Sequence, residues 1–179
     1  MRIIEEIGKQ LQPFADDFSL DNYLLVSLSA QKLWQLSQGK VQASYTVSTS
    51  SKGAGSQQGS GKTPLGVHYI AEKIGDNAAI GTLFKCRQDM GETAPVLSRN
   101  TYSDIDAITS RILWLKGLQP GINQGEGIDS YQRYIYIHGT DEEWRLGTAA
   151  SHGCIRMSNQ DVIMLYDKVC VNTLVVIIE

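Results

Sequence analysis

Apolar side chains first recur at helical intervals: Ile3, Ile4, Ile7, Leu11 and Phe14 predict one amphipathic helix over about residues 3–14. From Tyr23 the pattern shortens to runs rich in Val, Leu, Tyr and Thr, interrupted at Ser29-Ala30 and at Gln38-Gly39-Lys40. Those runs predict three antiparallel strands, over residues 23–28, 33–37 and 41–48. Further strands are expected over residues 65–70, 134–138 and 173–178, with weaker signals at 82–86 and 112–115. Residues 158–168 read as a helix opened by Ser158 or Asn159, whose side chains can satisfy the free N–H groups of a first turn.

Two stretches lack the apolar content to join a core. Residues 49–62 are almost wholly Ser, Gly, Gln and Lys, and residues 117–127 are rich in Gly with Pro120 among them. Both are expected as surface loops, the places where a site is usually built. The sum is a mainly β fold with one or two helices, in a single domain over residues 1–179 that includes the N-terminal helix.

Composition narrows the function. A net charge of -3, without any Lys/Arg cluster, leaves no surface to neutralise a phosphate backbone, so no nucleic-acid partner is expected. No window approaches the roughly 18 continuous apolar residues of a membrane span. The opening Met1-Arg2-Ile3-Ile4-Glu5-Glu6 places acids where a signal peptide is apolar, so the expected compartment is the cytoplasm, or the exterior if a leader has been removed. Three cysteines, Cys86, Cys154 and Cys170, make an odd number, so no disulfide framework is expected.

Gly59-Ser60-Gly61-Lys62-Thr63 resembles the end of a phosphate-binding loop. That loop needs glycine five positions before Gly61, where Ser56 stands, and a helix afterwards, where Pro64, Gly66 and a strand pattern follow. A flexible loop over a site is the better reading.

The chemistry concentrates elsewhere. Of three histidines, His138 and His152 bracket the segment that leads into Cys154. A free thiol has a pKa near ~8.5, so a cysteine nucleophile needs a base, and the base needs its second ring nitrogen bonded to fix its tautomer. Acyl transfer also needs donors for the oxyanion, and Gly153, lacking a Cβ, lets the Gly153 and Cys154 N–H groups serve as candidates. A metal site built on His138, His152 and Cys154 is the competing reading; it lacks a fourth ligand at a usual spacing. No metal and no other cofactor is expected.

Ile137-His138-Gly139-Thr140, followed by Ser151-His152-Gly153-Cys154-Ile155-Arg156-Met157, resembles the signature of the L,D-transpeptidase catalytic domain, or YkuD domain. The Thr63-Pro64-Leu65-Gly66 turn and the β-rich N-terminal strands are similar too. The resemblance implies a β-sandwich-like fold, Cys154 as nucleophile, His138 as base, and the Gly139 carbonyl orienting the imidazole. Many members have serine where Gly139 stands, a change that spares a main-chain acceptor. It further implies that His152 shapes the site and helps position the oxyanion donors. Arg156 is a candidate to hold a substrate carboxylate through its planar fork, with a structural salt bridge as the even alternative.

The implied substrates are peptidoglycan stem peptides or muropeptides, cut after the L-centre of a diamino acid and before D-alanine. The expected activity is that of a cytoplasmic L,D-carboxypeptidase, which trims D-alanine from recovered tetrapeptides through a thioester. The alternatives are an L,D-transpeptidase that forms cross-links and a non-catalytic binder of wall fragments on the same fold.

Overall fold

The computed structural model describes residues 2–179, the side chains of residues 2 and 3 apart. Helix α1 (Arg2–Leu11) is followed by a 3-10 turn (Gln12–Phe14) and by strands β1 (Asn22–Ser27), β2 (Lys32–Ser37) and β3 (Lys40–Thr46). Then come β4 (Gly66–Ile74), β5 (Thr82–Lys85), β6 (Gln88–Thr93), β7 (Ile108–Gly117), β8 (Tyr136–Gly139) and β9 (Ile155–Met157). Helix α2 (Asn159–Lys168) and β10 (Leu174–Ile178) complete the chain. All ten strands belong to one sheet, in the order β3-β2-β1-β10-β4-β7-β5-β6, with β8 on β7 and β9 on β8. The protein is mainly β, as expected.

Strand alternation divides the sheet between separate cores. In β1 and β10, Leu24, Val26, Val175 and Ile177 face one core, whereas Tyr23, Leu25, Leu174 and Val176 face another. The first core is closed by Val162, Leu165 and Tyr166 of α2, together with Ile137 and Ile155 of β8 and β9. The second is closed by Ile7 and Leu11 of α1, the helical stripe anticipated from the sequence; Ile3 of that stripe lies outside the described side chains. Helix α2 starts as its cap chemistry requires, with the Ser158 side chain accepting the Asp161 N–H.

Three expectations change in detail. The strand expected from residue 134 begins at Tyr136, because Tyr134 takes a left-handed φ of 57° and ends a turn instead. β6 and β9 were not anticipated: β6 is exposed throughout, and β9 has three residues. The polar stretch 49–62 is a loop, yet its first residues are buried: Thr49 Oγ1 accepts from Gln31, and Ser50 Oγ donates to the Gly61 carbonyl at 2.5 Å. Side-chain-to-backbone bonds hold it where apolar area could not. The Gly59–Thr63 segment is part of this loop, and strand β4, rather than a helix, follows it.

His68 of β4 anchors the segment between the second loop and β8 from beneath. Fully buried, its Nδ1 lies 3.1 Å from the Gly66 carbonyl, which can only accept, so Nε2 takes the Ser130 hydroxyl proton at 2.9 Å. Burial holds this imidazole neutral, with a pKa lowered to about 4. Between that value and about 6.5 the unfolded chain binds the extra proton, so stability rises with pH across this window and is lost as pH falls through it. The expected loss from pH 7 to pH 4 is about 3 kcal/mol from His68, and His138, also lowered by burial, adds in the same direction. Urea titrations at the two pH values check this: His68→Gln should flatten the dependence, and an unchanged slope would assign it elsewhere.

Candidate active site

β8 and β9 run parallel and pair Ile137 with Ile155 and His138 with Arg156. Ile137 and Ile155 share the α2 core, so their neighbours His138 and Arg156 turn to the opposite face. On that face Cys154 packs against the cluster of Phe84, Ile112, Trp114 and Tyr136. Alternation in β8 therefore puts His138 on the side of the sheet that carries the sulfur.

His138 is buried, and its Nδ1 lies 2.7 Å from the Gly139 carbonyl. A carbonyl only accepts, so Nδ1 carries the proton and Nε2 is left with its lone pair, the tautomer a base needs. Burial holds the ring below its ordinary pKa and thus neutral at pH 7. Gly139 has a steric reason to be glycine: a Cβ there would lie 2.6 Å from the Thr109 carbonyl oxygen and 2.9 Å from Asn159 Oδ1. The serine common at this place in the resembling family would not fit.

The Cys154 thiol is neutral and parked. Its S–H donates to the Tyr134 carbonyl and its sulfur accepts the Tyr136 N–H, both at 3.4 Å. The left-handed Tyr134 is what turns its carbonyl toward the sulfur from outside β8. Burial pushes the thiol up to about 12, against the opposing pull of the Tyr136 N–H, Arg156 and Arg133. Nucleophilic attack from this state requires the proton to leave with a base.

The turn that presents Cys154 is pinned on three sides. Ser151 Oγ donates to the Cys154 carbonyl at 2.6 Å and accepts the Gly153 N–H at 3.2 Å, while Thr63 Oγ1 donates to the Gly153 carbonyl at 3.0 Å. Gly153 has φ of 130°, a conformation open to glycine, and a Cβ would meet the Lys62 carbonyl at 3.2 Å. The expected oxyanion pair is therefore corrected: the Gly153 N–H is engaged by Ser151, and the Cys154 N–H remains as candidate.

His152 projects outward, its side chain 72% exposed, with Nδ1 2.6 Å from Asp106 Oδ2. Burial would raise the Asp106 carboxyl, but neighbouring His138, Arg156 and His152 outweigh it and hold the group below the usual carboxylate range. Arg156 is 1% exposed, 2.8 Å from Glu142 Oε2 and 2.5 Å from Asp106 Oδ1. The substrate-carboxylate role expected of Arg156 is thus corrected to the salt-bridge alternative: both carboxylates it meets are the protein's own. Removing one partner of a buried pair typically costs about 3–5 kcal/mol. Arg156→Ala should lose about 3 kcal/mol, near the lower end because Arg145 still pairs with Glu142. A urea midpoint near that of the parent, with only KM raised, would restore the substrate role.

Residues that sequence reasoning missed complete the site. Arg87, in the turn between β5 and β6, lies over the Trp114 and Tyr134 rings and donates to Tyr136 Oη at 3.2 Å. Trp114 stacks on Tyr131 with centroids 4.0 Å apart. A cavity of about 390 Å³ opens beside the sulfur, lined by Gly59 and Gly61 of the first loop, Arg133 and Tyr134 of the turn before β8, and His152 and Cys154. Among the described residues no group of three His, Cys, Asp or Glu side chains is placed as metal ligands would be. Nor is any helix among them long and apolar enough to cross a membrane.

With this geometry in view, the comparisons place the chain. Residues 21–177 match the family described as the L,D-transpeptidase catalytic domain, YkuD, and the chain belongs to that family. Over 47 residues it is 43% identical to the Escherichia coli K12 protein named "Probable L,D-transpeptidase YbiS", covering 26% of this chain and 15% of that one. In fold it resembles L,D-transpeptidase 3 of Mycobacterium tuberculosis, solved with a faropenem-derived adduct, at a TM-score of 0.53 and 16% identity over 89% of this chain and 60% of that one. An Enterococcus faecium L,D-transpeptidase matches at 0.52 and 19% identity, over 88% and 49% of the two chains. The chain thus spans less than two thirds of each of these relatives.

Proposed function

We propose that this chain is a cysteine L,D-carboxypeptidase that removes the terminal D-alanine from peptidoglycan tetrapeptides through a thioester on Cys154. The observation that carries the reading is the neutral His138, with its tautomer fixed by the Gly139 carbonyl, on the sulfur's side of the β8–β9 ribbon. His138 Nε2 takes the thiol proton as the sulfur bonds to the carbonyl carbon of the L-centre. The Cys154 N–H is the donor assigned to the resulting oxyanion. When that intermediate collapses, the C–N bond breaks and D-alanine leaves with the proton from His138. Water then gives a proton to His138 and attacks the thioester; the C–S bond breaks, the tripeptide leaves, and the sulfur takes the proton back from His138.

Water as acceptor is favoured by the lining of the Cys154 cavity, where Gln58, Gln132, Arg133 and Ile135 offer no carboxylate to seat an acceptor ammonium. L,D-transpeptidation is the second reading, and one feature favours it. A separate cavity of about 400 Å³, lined by Glu92 and Asp106 among others, adjoins the site through the Asp106–His152 contact. Action on recovered fragments in the cytoplasm is part of the same proposal, to be tested by cell fractionation. Mass analysis of products from a tetrapeptide should give tripeptide and D-alanine in excess over dimers. Predominantly dimeric products would make the enzyme a cross-linker and leave the Cys154 and His138 chemistry in place.

A further inference from the structure

We infer that Arg133 is a specificity-determining residue of the Cys154 cavity, whose guanidinium holds a carboxylate of the substrate beside the sulfur; the inference rests on the peptide substrate proposed above. Arg133 closes a turn through its N–H to the Asp129 carbonyl at 2.9 Å, and the next residue is Tyr134, whose carbonyl receives the thiol proton. Cation and nucleophile are therefore held in one frame by adjacent backbone.

The guanidinium is half-buried in the wall of the cavity that contains Cys154 and His152. It donates to three neutral oxygens: the Lys62 carbonyl at 2.7 Å, the Gly55 carbonyl at 3.2 Å and Ser60 Oγ at 3.5 Å. Three of its five donors are thereby used to fix its plane, and two remain. Among the described residues no carboxylate lies within ion-pair distance of it, whereas Arg145 and Arg156 both have one. Burial works against its charge, and the neighbouring Cys154 sulfur works in its favour. A guanidinium with two spare N–H groups, next to the reacting atom and without a carboxylate partner, fits a carboxylate through a charge-assisted hydrogen bond. A stem peptide offers two, the C-terminal one of D-alanine and the side-chain one of an acidic diamino acid. Arg133 takes over the role expected from sequence for Arg156, which its own salt bridges occupy.

The competing role is structural, because the same three hydrogen bonds staple the loop of residues 49–62. Two reagents of nearly equal size separate the roles. Iodoacetate and iodoacetamide each alkylate the sulfur, the S–C bond forming as C–I breaks, with iodide leaving and the thiol proton passing to base. Peptide mass analysis reads the rate at Cys154 apart from the exposed Cys86 and Cys170. The iodoacetate-to-iodoacetamide ratio at Cys154 should fall about tenfold in Arg133→Gln and be largely kept in Arg133→Lys. A mere staple would change both rates equally, and an unchanged ratio would overturn the proposal. With tetrapeptides amidated at one carboxylate or the other, the parent enzyme should lose about 10–100-fold in kcat/KM for one amide, mostly through KM. Arg133→Gln should erase that difference and so identify which carboxylate is held; indifference of the parent enzyme to both amides would overturn the proposal. A charge-dependent alkylation ratio without any turnover of tetrapeptide would instead sink the carboxypeptidase reading and leave Arg133 as an anion site.

Discussion

Cys154→Ala is expected to lower D-alanine release by about 10⁴-fold or more while leaving the fold nearly unchanged. The chemical loss is large because the other groups assigned to the mechanism only move protons or hold charge. The structural loss is small because the thiol sits at the margin of the Phe84, Ile112, Trp114 and Tyr136 cluster, and both of its hydrogen bonds, at 3.4 Å, are the weak ones of a sulfur. Deleting one half-buried sulfur should cost about 1 kcal/mol. Cys86 and Cys170 are exposed and supply the controls: their alanine variants should retain activity. Product analysis together with a urea titration reads both effects. D-alanine release at the parent rate from Cys154→Ala would remove the thioester mechanism altogether.

Local chemistry was the legible part of this protein. The His138 contact to the next carbonyl was implied by the family resemblance, whereas Ser158 capping α2 involves groups within a few residues of one another, so the residue types largely determine the contact. The same holds for β1, β2 and β3, whose antiparallel neighbours are joined by short turns. The parallel pairs were not legible: β1 meets β10 and β8 meets β9 across long intervening segments, and nothing in a single strand's pattern specifies its distant partner. β6 escaped because its burial is uniform, without the alternation that marks a strand with one face inside.

The charged residues of the site were the least legible. Arg156 reads equally as a holder of a substrate carboxylate or as a structural salt bridge until Glu142 and Asp106 are found on it, and Asp106 lies in a polar stretch that carries no signal of its own. For Arg133 the available sign was its place immediately before the Tyr134-Ile135-Tyr136-Ile137-His138 run. Whether such a side chain faces solvent or a cavity depends on the left-handed turn at Tyr134, which its residue type does not announce.

Removal of His138 should reveal the state from which the reaction starts. In this structure both members of the pair are neutral: burial raises the thiol to about 12 and lowers the imidazole below its ordinary value. A neutral base works only while unprotonated, so kcat/KM should climb as pH rises through the His138 pKa, below about 6.5, and level off near neutrality. A preformed thiolate–imidazolium pair would instead lose activity on the alkaline side, as the imidazolium needed to protonate the leaving amine disappears. His138→Ala should cost about 10²–10⁴-fold at pH 7. It should also replace the plateau by a rate that rises tenfold per pH unit, because hydroxide must then remove the thiol proton. His138→Asn, whose side-chain amide keeps a donor at the Nδ1 position for the Gly139 carbonyl, distinguishes loss of the base from disturbance of β8 and should show the same rising profile. An acid limb that persists in both variants would move the base elsewhere, with the exposed His152 as the group to examine next.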